Sequence, residues 1–116
     1  MKIQDLLPKL LETTRRKKIT WTEYAGDTYV AKLGEQKFQV TQGFDEDSGE
    51  HFFRFNIYMG GGDHPYEGRF IDSMYADGFK GSLSDLEELY GEARRNALGL
   101  DELISDIDDE LNKLLK

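Results

Sequence analysis

No cysteine occurs among the 116 residues, which excludes disulfides, thiolate metal ligands and cysteine nucleophiles and permits a reducing, intracellular compartment. Histidine is confined to His51 and His64, proline to Pro8 and Pro65, and tryptophan to Trp21. No apolar run approaches the ~18 residues of a membrane span. The N-terminal leucines are mixed with charge and lack the apolar stretch of a signal peptide. A cytosolic protein without membrane segments is therefore expected. At this length one domain, residues 1–116, is enough, burying roughly two-thirds of the surface that its unfolded chain exposes.

Basic residues are also scarce, 15 against 23 acidic ones, and unevenly placed. Residues 1–18 carry six basic and two acidic side chains, residues 19–83 five and eleven, and residues 84–116 four and ten. A net charge of −8 disfavours non-specific contact with nucleic acid or membrane over most of the surface. Only the N-terminal end departs from that balance.

The residues that are present separate by type. Thirteen of fourteen aromatics lie between Trp21 and Phe79, while thirteen of fourteen leucines lie outside that stretch. Aromatic and β-branched side chains suit a pleated, half-buried surface, and leucine loses little freedom in a helix. The chain thus reads as α+β: an N-terminal helix, an antiparallel four- to five-stranded meander, and two C-terminal helices packed on the sheet.

Ile3, Leu6, Leu7, Leu10 and Leu11 recur at helical spacing with Pro8 in the first turn, predicting a helix over about 3–16. Alternation around Ile19 and Trp21, Tyr29–Leu33 and Phe38–Val40 predicts three strands joined by hairpin turns at Ala25-Gly26-Asp27 and Gly34-Glu35-Gln36. A fourth, His51–Met59, sets Phe53, Phe55, Ile57 and Met59 on one face and Phe52, Arg54, Asn56 and Tyr58 on the other. Residues 69–75 fit a fifth strand or a helical turn equally well. Ser84-Asp85-Leu86-Glu87 has the form of a capping box opening a helix to Leu98, with Leu86, Leu89, Tyr90, Ala93, Ala97 and Leu98 on its buried side. Gly99 is placed to stop it before a last helix from Leu100 to Leu115.

Each chemical motif has a plainer explanation. Asp45-Glu46-Asp47-Ser48-Gly49-Glu50 resembles a calcium loop, but its glycine falls at position five and position twelve is Asn56, so an acidic hairpin loop is expected. Gly60-Gly61-Gly62 lacks the following helix and lysine of a phosphate loop. Arg15-Arg16-Lys17-Lys18 suits a helix C-terminus and is too narrow a footprint for nucleic-acid recognition, so nucleic acid is not an expected partner. No serine sits in a nucleophile elbow. Asp63, His64 and Glu67 are the one grouping that could orient a base or hold a divalent ion. They define the alternative reading, a small metal-dependent hydrolase; no cofactor is otherwise expected.

The helix Leu89-Tyr90-Gly91-Glu92-Ala93-Arg94-Arg95-Asn96-Ala97-Leu98, with the Ile104/Ile107 stripe after it and the Leu11-x-Thr13 and Ile19-x-Trp21 spacings before the strands, resembles small uncharacterised bacterial and prophage α+β proteins. The resemblance implies that fold and carries no activity with it. Gly91 stands where a helix former is expected, suggesting close packing against a neighbour. Of the adjacent arginines, about 100° apart on a helix, one is expected to pair with an acid of the last helix.

The leading expectation is a non-enzymatic protein acting through protein contact, such as an acidic inhibitor of immunity or anti-defence type. Its candidate partner-binding residues are Phe52 and Tyr58 on the strand and Leu100, Ile104, Ile107 and Leu111 on the last helix. Because one sheet face takes about two helices, that last helix is a candidate homodimer surface or a cover for the other face.

Overall fold

Period-two alternation of aromatic and polar residues produces five strands in the computed structural model, which describes residues 1–61, 67–77 and 83–116. A 3-10 turn at Ile3–Leu6 leads into α1 (Leu7–Arg15). The strands β1 (Trp21–Ala25), β2 (Thr28–Leu33), β3 (Gln36–Asp45), β4 (Glu50–Met59) and β5 (Arg69–Asp77) follow, then α2 (Leu83–Leu98) and α3 (Leu100–Leu114). All neighbours pair antiparallel in sequence order. The architecture is α+β as expected: an N-terminal helix, a five-stranded antiparallel sheet and two C-terminal helices packed on it, the second by way of the first.

One face of the sheet makes the core. Trp21, Tyr29, Ala31, Phe38, Val40, Phe53, Phe55, Ile57 and Ala76 are buried there against Leu7, Leu10 and Leu11 of α1 and Leu86, Leu89 and Ala93 of α2. Tyr90 of α2 fits between Tyr29 and Phe53, with ring centroids 5.5 and 5.7 Å away. Leu98, expected on the buried side, is exposed at 38%.

Several boundaries differ from expectation for local reasons. Residues 3–6 wind more tightly than an α-helix, held by an Asp5 carboxylate that accepts from the Lys2 backbone N–H at 2.7 Å. α2 starts at Leu83, so Ser84 lies within the helix instead of capping it. β5 is a strand. Its pairing with β4 shifts at Ile57/Tyr58, where Asp72 faces Ile57 but Phe70 faces Tyr58, so a bulge at Ile71 breaks the alternation that would have marked it. Gly91 has open space where a Cβ would sit; the close packing expected of it is absent.

A buried polar clamp locks α2 to the start of the sheet. The Asn96 side chain accepts from the Trp21 backbone N–H at 2.8 Å and donates to the carbonyls of Ile19 at 3.1 Å and Thr14 at 3.5 Å. The Trp21 indole N–H donates to Thr14 Oγ1 at 3.0 Å, and that hydroxyl donates to the Leu10 carbonyl at 2.7 Å. These bonds satisfy backbone groups that the turn after α1 would otherwise leave unpaired.

Gly99 ends α2 in the left-handed conformation, φ 60° and ψ 40°, as a helix-stopping glycine does. α3 then departs from the body. Among the described residues it packs against α2 and against no strand. The molecule measures 54 × 36 × 25 Å with a radius of gyration of 16.1 Å, where a globular chain of this length would have about 13 Å.

Candidate functional site

Among the described residues the apolar stripe of α3 is largely uncovered beyond Leu100. Leu103, Ile104, Ile107 and Leu111 are 50–54% exposed, and Leu114 and Leu115 more so. Leu100, Ile104, Ile107, Leu111 and Leu114 alternate at spacings of four and three, the seam of a helix that packs lengthwise on a partner. Asp101, Asp108 and Glu110 flank that seam, while Glu102, Asp106 and Asp109 occupy the outer side. The helix is thus an apolar ridge between acidic margins.

Its base is fixed by ion pairs. Lys17 Nζ meets Glu102 Oε1 at 2.5 Å, and Arg95 pairs with Asp101, the arginine–acid contact expected across the last two helices. Lys17 draws the Glu102 carboxyl below the usual carboxylate range, chiefly through their hydrogen bond, and is itself held above the usual lysine range. Arg15 pairs with Glu88 and Glu92 of α2, and Arg16 with Glu12. Two of the four cations in the basic run, Arg15 and Lys17, therefore tie helices together, while Arg16 pairs within its own helix.

The far side of the sheet is covered at its centre, where Thr28, Lys37 and Gln39 are buried, and partly exposed toward its ends. Register brings Lys37, Tyr58 and Phe70 into one row, Val30, Gln39 and Asn56 into the next, then Thr41, Arg54 and Tyr75, and finally Gly43, Phe52 and Asp77. Tyr58 meets Phe70 edge-on at 5.7 Å, Phe52 stacks with Tyr75 at 5.4 Å, and the Arg54 guanidinium lies over the Tyr75 ring at 5.4 Å. Phe52 covers Gly43, where a Cβ would come within 2.2 Å of the ring; the aromatic shields a residue that has no side chain of its own. Burial and the nearby Asp77 raise the Tyr75 hydroxyl above its ordinary range.

Phe52 and Tyr58 thus lie on the same face in two aromatic pairs, with Tyr75 and Phe70 respectively, separated by the Gln39/Asn56 row. Tyr75 and Phe70 escaped sequence reading because the strand that carries them was ambiguous. Beside β1 and β2 a cleft of about 600 Å³ is lined by Lys18, Thr22, Tyr24, Val30, Lys32 and Lys37 among others. Lys37 is buried and donates to the Glu67 carbonyl at 2.7 Å. Gln39 is buried too. Its oxygen accepts from Asn56 Nδ2 at 2.9 Å, and its Nε2 has no partner among the described residues.

The remaining candidate residues fall elsewhere. Asp63 and His64 lie outside the described residues; Glu67 is exposed and contributes its carbonyl to Lys37. No group of three or more potential metal ligands occurs among the described residues. In the acidic hairpin loop, an Asp45 carboxylate oxygen accepts from the Asp47 N–H at 2.9 Å, and its carbonyl accepts from Gly49 at 2.8 Å. That carboxylate serves the turn. His51 packs edge-on against Phe44 at 5.0 Å. Gly61 and Gly68 bring the segment before β5 against the end of β4 so closely that a Cβ at either would strike backbone within 2.5 Å. Among the described residues, no helix is long and apolar enough to cross a membrane.

Comparison with protein-family models, with curated proteins and with solved structures finds no match.

Proposed function

We propose that this chain is a non-enzymatic, cytosolic binding protein that acts through protein contact, with α3 as its working surface. The observation that carries this reading is the half-exposed seam of Leu103, Ile104, Ile107 and Leu111 on a helix that no strand covers. Burying a leucine or isoleucine side chain fully gains about 1.5–3 kcal/mol, so half-exposed residues retain a large part of that gain for a partner. The acidic margins, Asp108 together with Asp101 and Glu110, which already pair with Arg95 and Lys113, favour a partner whose groove is rimmed by lysine or arginine. An acidic inhibitor that blocks a basic, nucleic-acid-binding surface has this chemistry, and charge complementarity of that kind speeds association.

A defined probe tests the reading without knowledge of the natural partner. Titration with an amphipathic helical peptide of leucine and lysine should show binding that weakens about tenfold or more between low and moderately high salt. The Ile107→Asp variant should not bind. Affinity indifferent to both salt and this substitution would remove α3 as the contact surface.

A further inference from the structure

The apolar stripes of α2 and α3 run on through the bend that separates them. Leu86, Tyr90, Ala93 and Ala97 of α2, then Leu100, Ile104, Ile107, Leu111 and Leu114 of α3, follow one another at alternating steps of four and three. That is one unbroken heptad seam. Two helices permanently set apart by a turn could carry their stripes in any relative register, and only one register of the heptad makes them continuous.

The interruption lies in the backbone of Gly99. Its φ of 60° and ψ of 40° turn the chain, and its N–H reaches the Asn96 carbonyl at 3.4 Å, a step of three residues where an α-helix takes four. A right-handed Gly99 would carry the four-residue ladder from α2 into α3. Glycine adopts either hand about equally readily, and no proline stands in residues 83–114.

Two contacts belong to the bent form. Arg95 pairs with Asp101, and Lys17, in the turn after α1, meets Glu102 at 2.5 Å. Asn96 of α2 faces that same turn through the Thr14 and Ile19 carbonyls. Each acid thus stands six residues beyond the side chain of α2 nearest its contact, and in a straight helix positions six apart point about 120° away from each other. Straightening would part both pairs. Lys17 itself stands at φ 59°, a conformation that lysine seldom takes and in which glycine would end α1 without strain. The lysine supplies an ammonium that glycine could not.

We propose that Gly99 is a two-state hinge: α2 and α3 exchange between the bent form and one continuous helix over residues 83–114, with Lys17–Glu102 and Arg95–Asp101 as the latch of the bent form. In the straight form α3, of 15 residues, is held at one end only and carries its seam about 22 Å beyond Gly99. In the bent form its base lies against α2 and the turn after α1. The hinge therefore sets how far from the body the seam is offered. It is a property of the chain alone and stands whatever α3 contacts.

The chain has no cysteine, so spin labels attach selectively after Glu87→Cys and Lys113→Cys, both at exposed positions. Pulsed electron resonance on the full chain then reads the distance between them. In an unbroken helix residues 87 and 113 stand about 39 Å apart, and any bend shortens that. The labelled protein should show a shorter major population and a minor one near that length, the minor one growing as salt screens the latch. Gly99→Ala penalises the left-handed form and favours helix, so it should raise the ratio of straight to bent about thirtyfold. Lys17→Met should raise it about threefold. An unchanged circular dichroism melt of the sheet and helices would show that the fold persists in both variants. A single shorter distance in all three proteins would overturn the hinge and make α3 a fixed arm. A broad spread in Gly99→Ala with no peak at the straight length would also overturn it, since the arm would then fray instead of joining α2. Salt-sensitive capture of the cationic peptide is a separate measurement, so failure of the hinge leaves α3 standing as a contact surface.

Discussion

Asn96 and Gly91 stand five residues apart on α2 and make opposite demands on it. The Asn96 side chain satisfies the Trp21 N–H and the Ile19 carbonyl at the point where the chain enters the sheet. Asn96→Ala leaves both groups without that partner, and an unsatisfied buried polar group costs about 1–3 kcal/mol. The variant should lose about 2 kcal/mol in urea unfolding; a loss below about 0.5 kcal/mol would mean that solvent reaches the clamp. Gly91 has helical geometry and open space for a Cβ. Gly91→Ala should therefore stabilise the protein by about 0.5–1 kcal/mol, through the unfolded chain and helix propensity alone. Destabilisation in the same assay would indicate a neighbour pressed against that position. Neither role was readable from one sequence. A polar residue beside Ala93 and Ala97 marks an interruption of the apolar side, but nothing in its spacing identifies the backbone groups it serves. Gly91 looks the same in sequence whether it faces a neighbour or open space.

At the scale of elements, what could be read depended on whether local pattern or tertiary placement decided the outcome. Strands β1 to β4 were legible because strict alternation and short glycine turns specify a meander without reference to anything distant. β5 was not, since the bulge at Ile71 shifts Phe70 onto the same face as Tyr58 and destroys the period-two signal. The seam of α3 was visible in full, yet its exposure was not, because exposure follows from the left-handed turn at Gly99 and the direction in which it sends the helix. An element that contributes little to the core should be removable. Truncation after Gly99 deletes the exposed seam and the two solvent-exposed ion pairs that join α3 to the body, Lys17–Glu102 and Arg95–Asp101, which solvent screens and which add little to stability. In dilute solution, where single copies prevail, the midpoint of thermal unfolding should fall by less than about 5 °C. A fall of 15 °C or more would show that α3 supports the core within its own copy.

The shape of the whole molecule depends on how its basic N-terminal end grips its acidic C-terminal helices. Arg15 reaches α2, and Lys17 reaches α3 through Glu102, so the direction of the arm is set by charge at its base. Glu102 has a lowered pKa in the folded protein. Its contribution is present in full above the ordinary carboxylate range and is lost as pH falls through the lowered folded value. Lys17 is shifted upward, so its contribution is complete below the ordinary lysine range and disappears as pH rises through the raised value. The grip should therefore hold across the neutral range and weaken at both extremes. Hydrogen exchange at the backbone amides of residues 103–107, corrected for the intrinsic pH dependence of exchange, should show constant protection near neutrality and reduced protection in acid, ahead of any change at Phe55 or Leu89 in the core. Lys17→Met should abolish that early step while leaving the later, global acid transition in place. Simultaneous loss of protection at the arm and the core would mean that the base of α3 is held by packing on α2 and not by the Lys17–Glu102 pair.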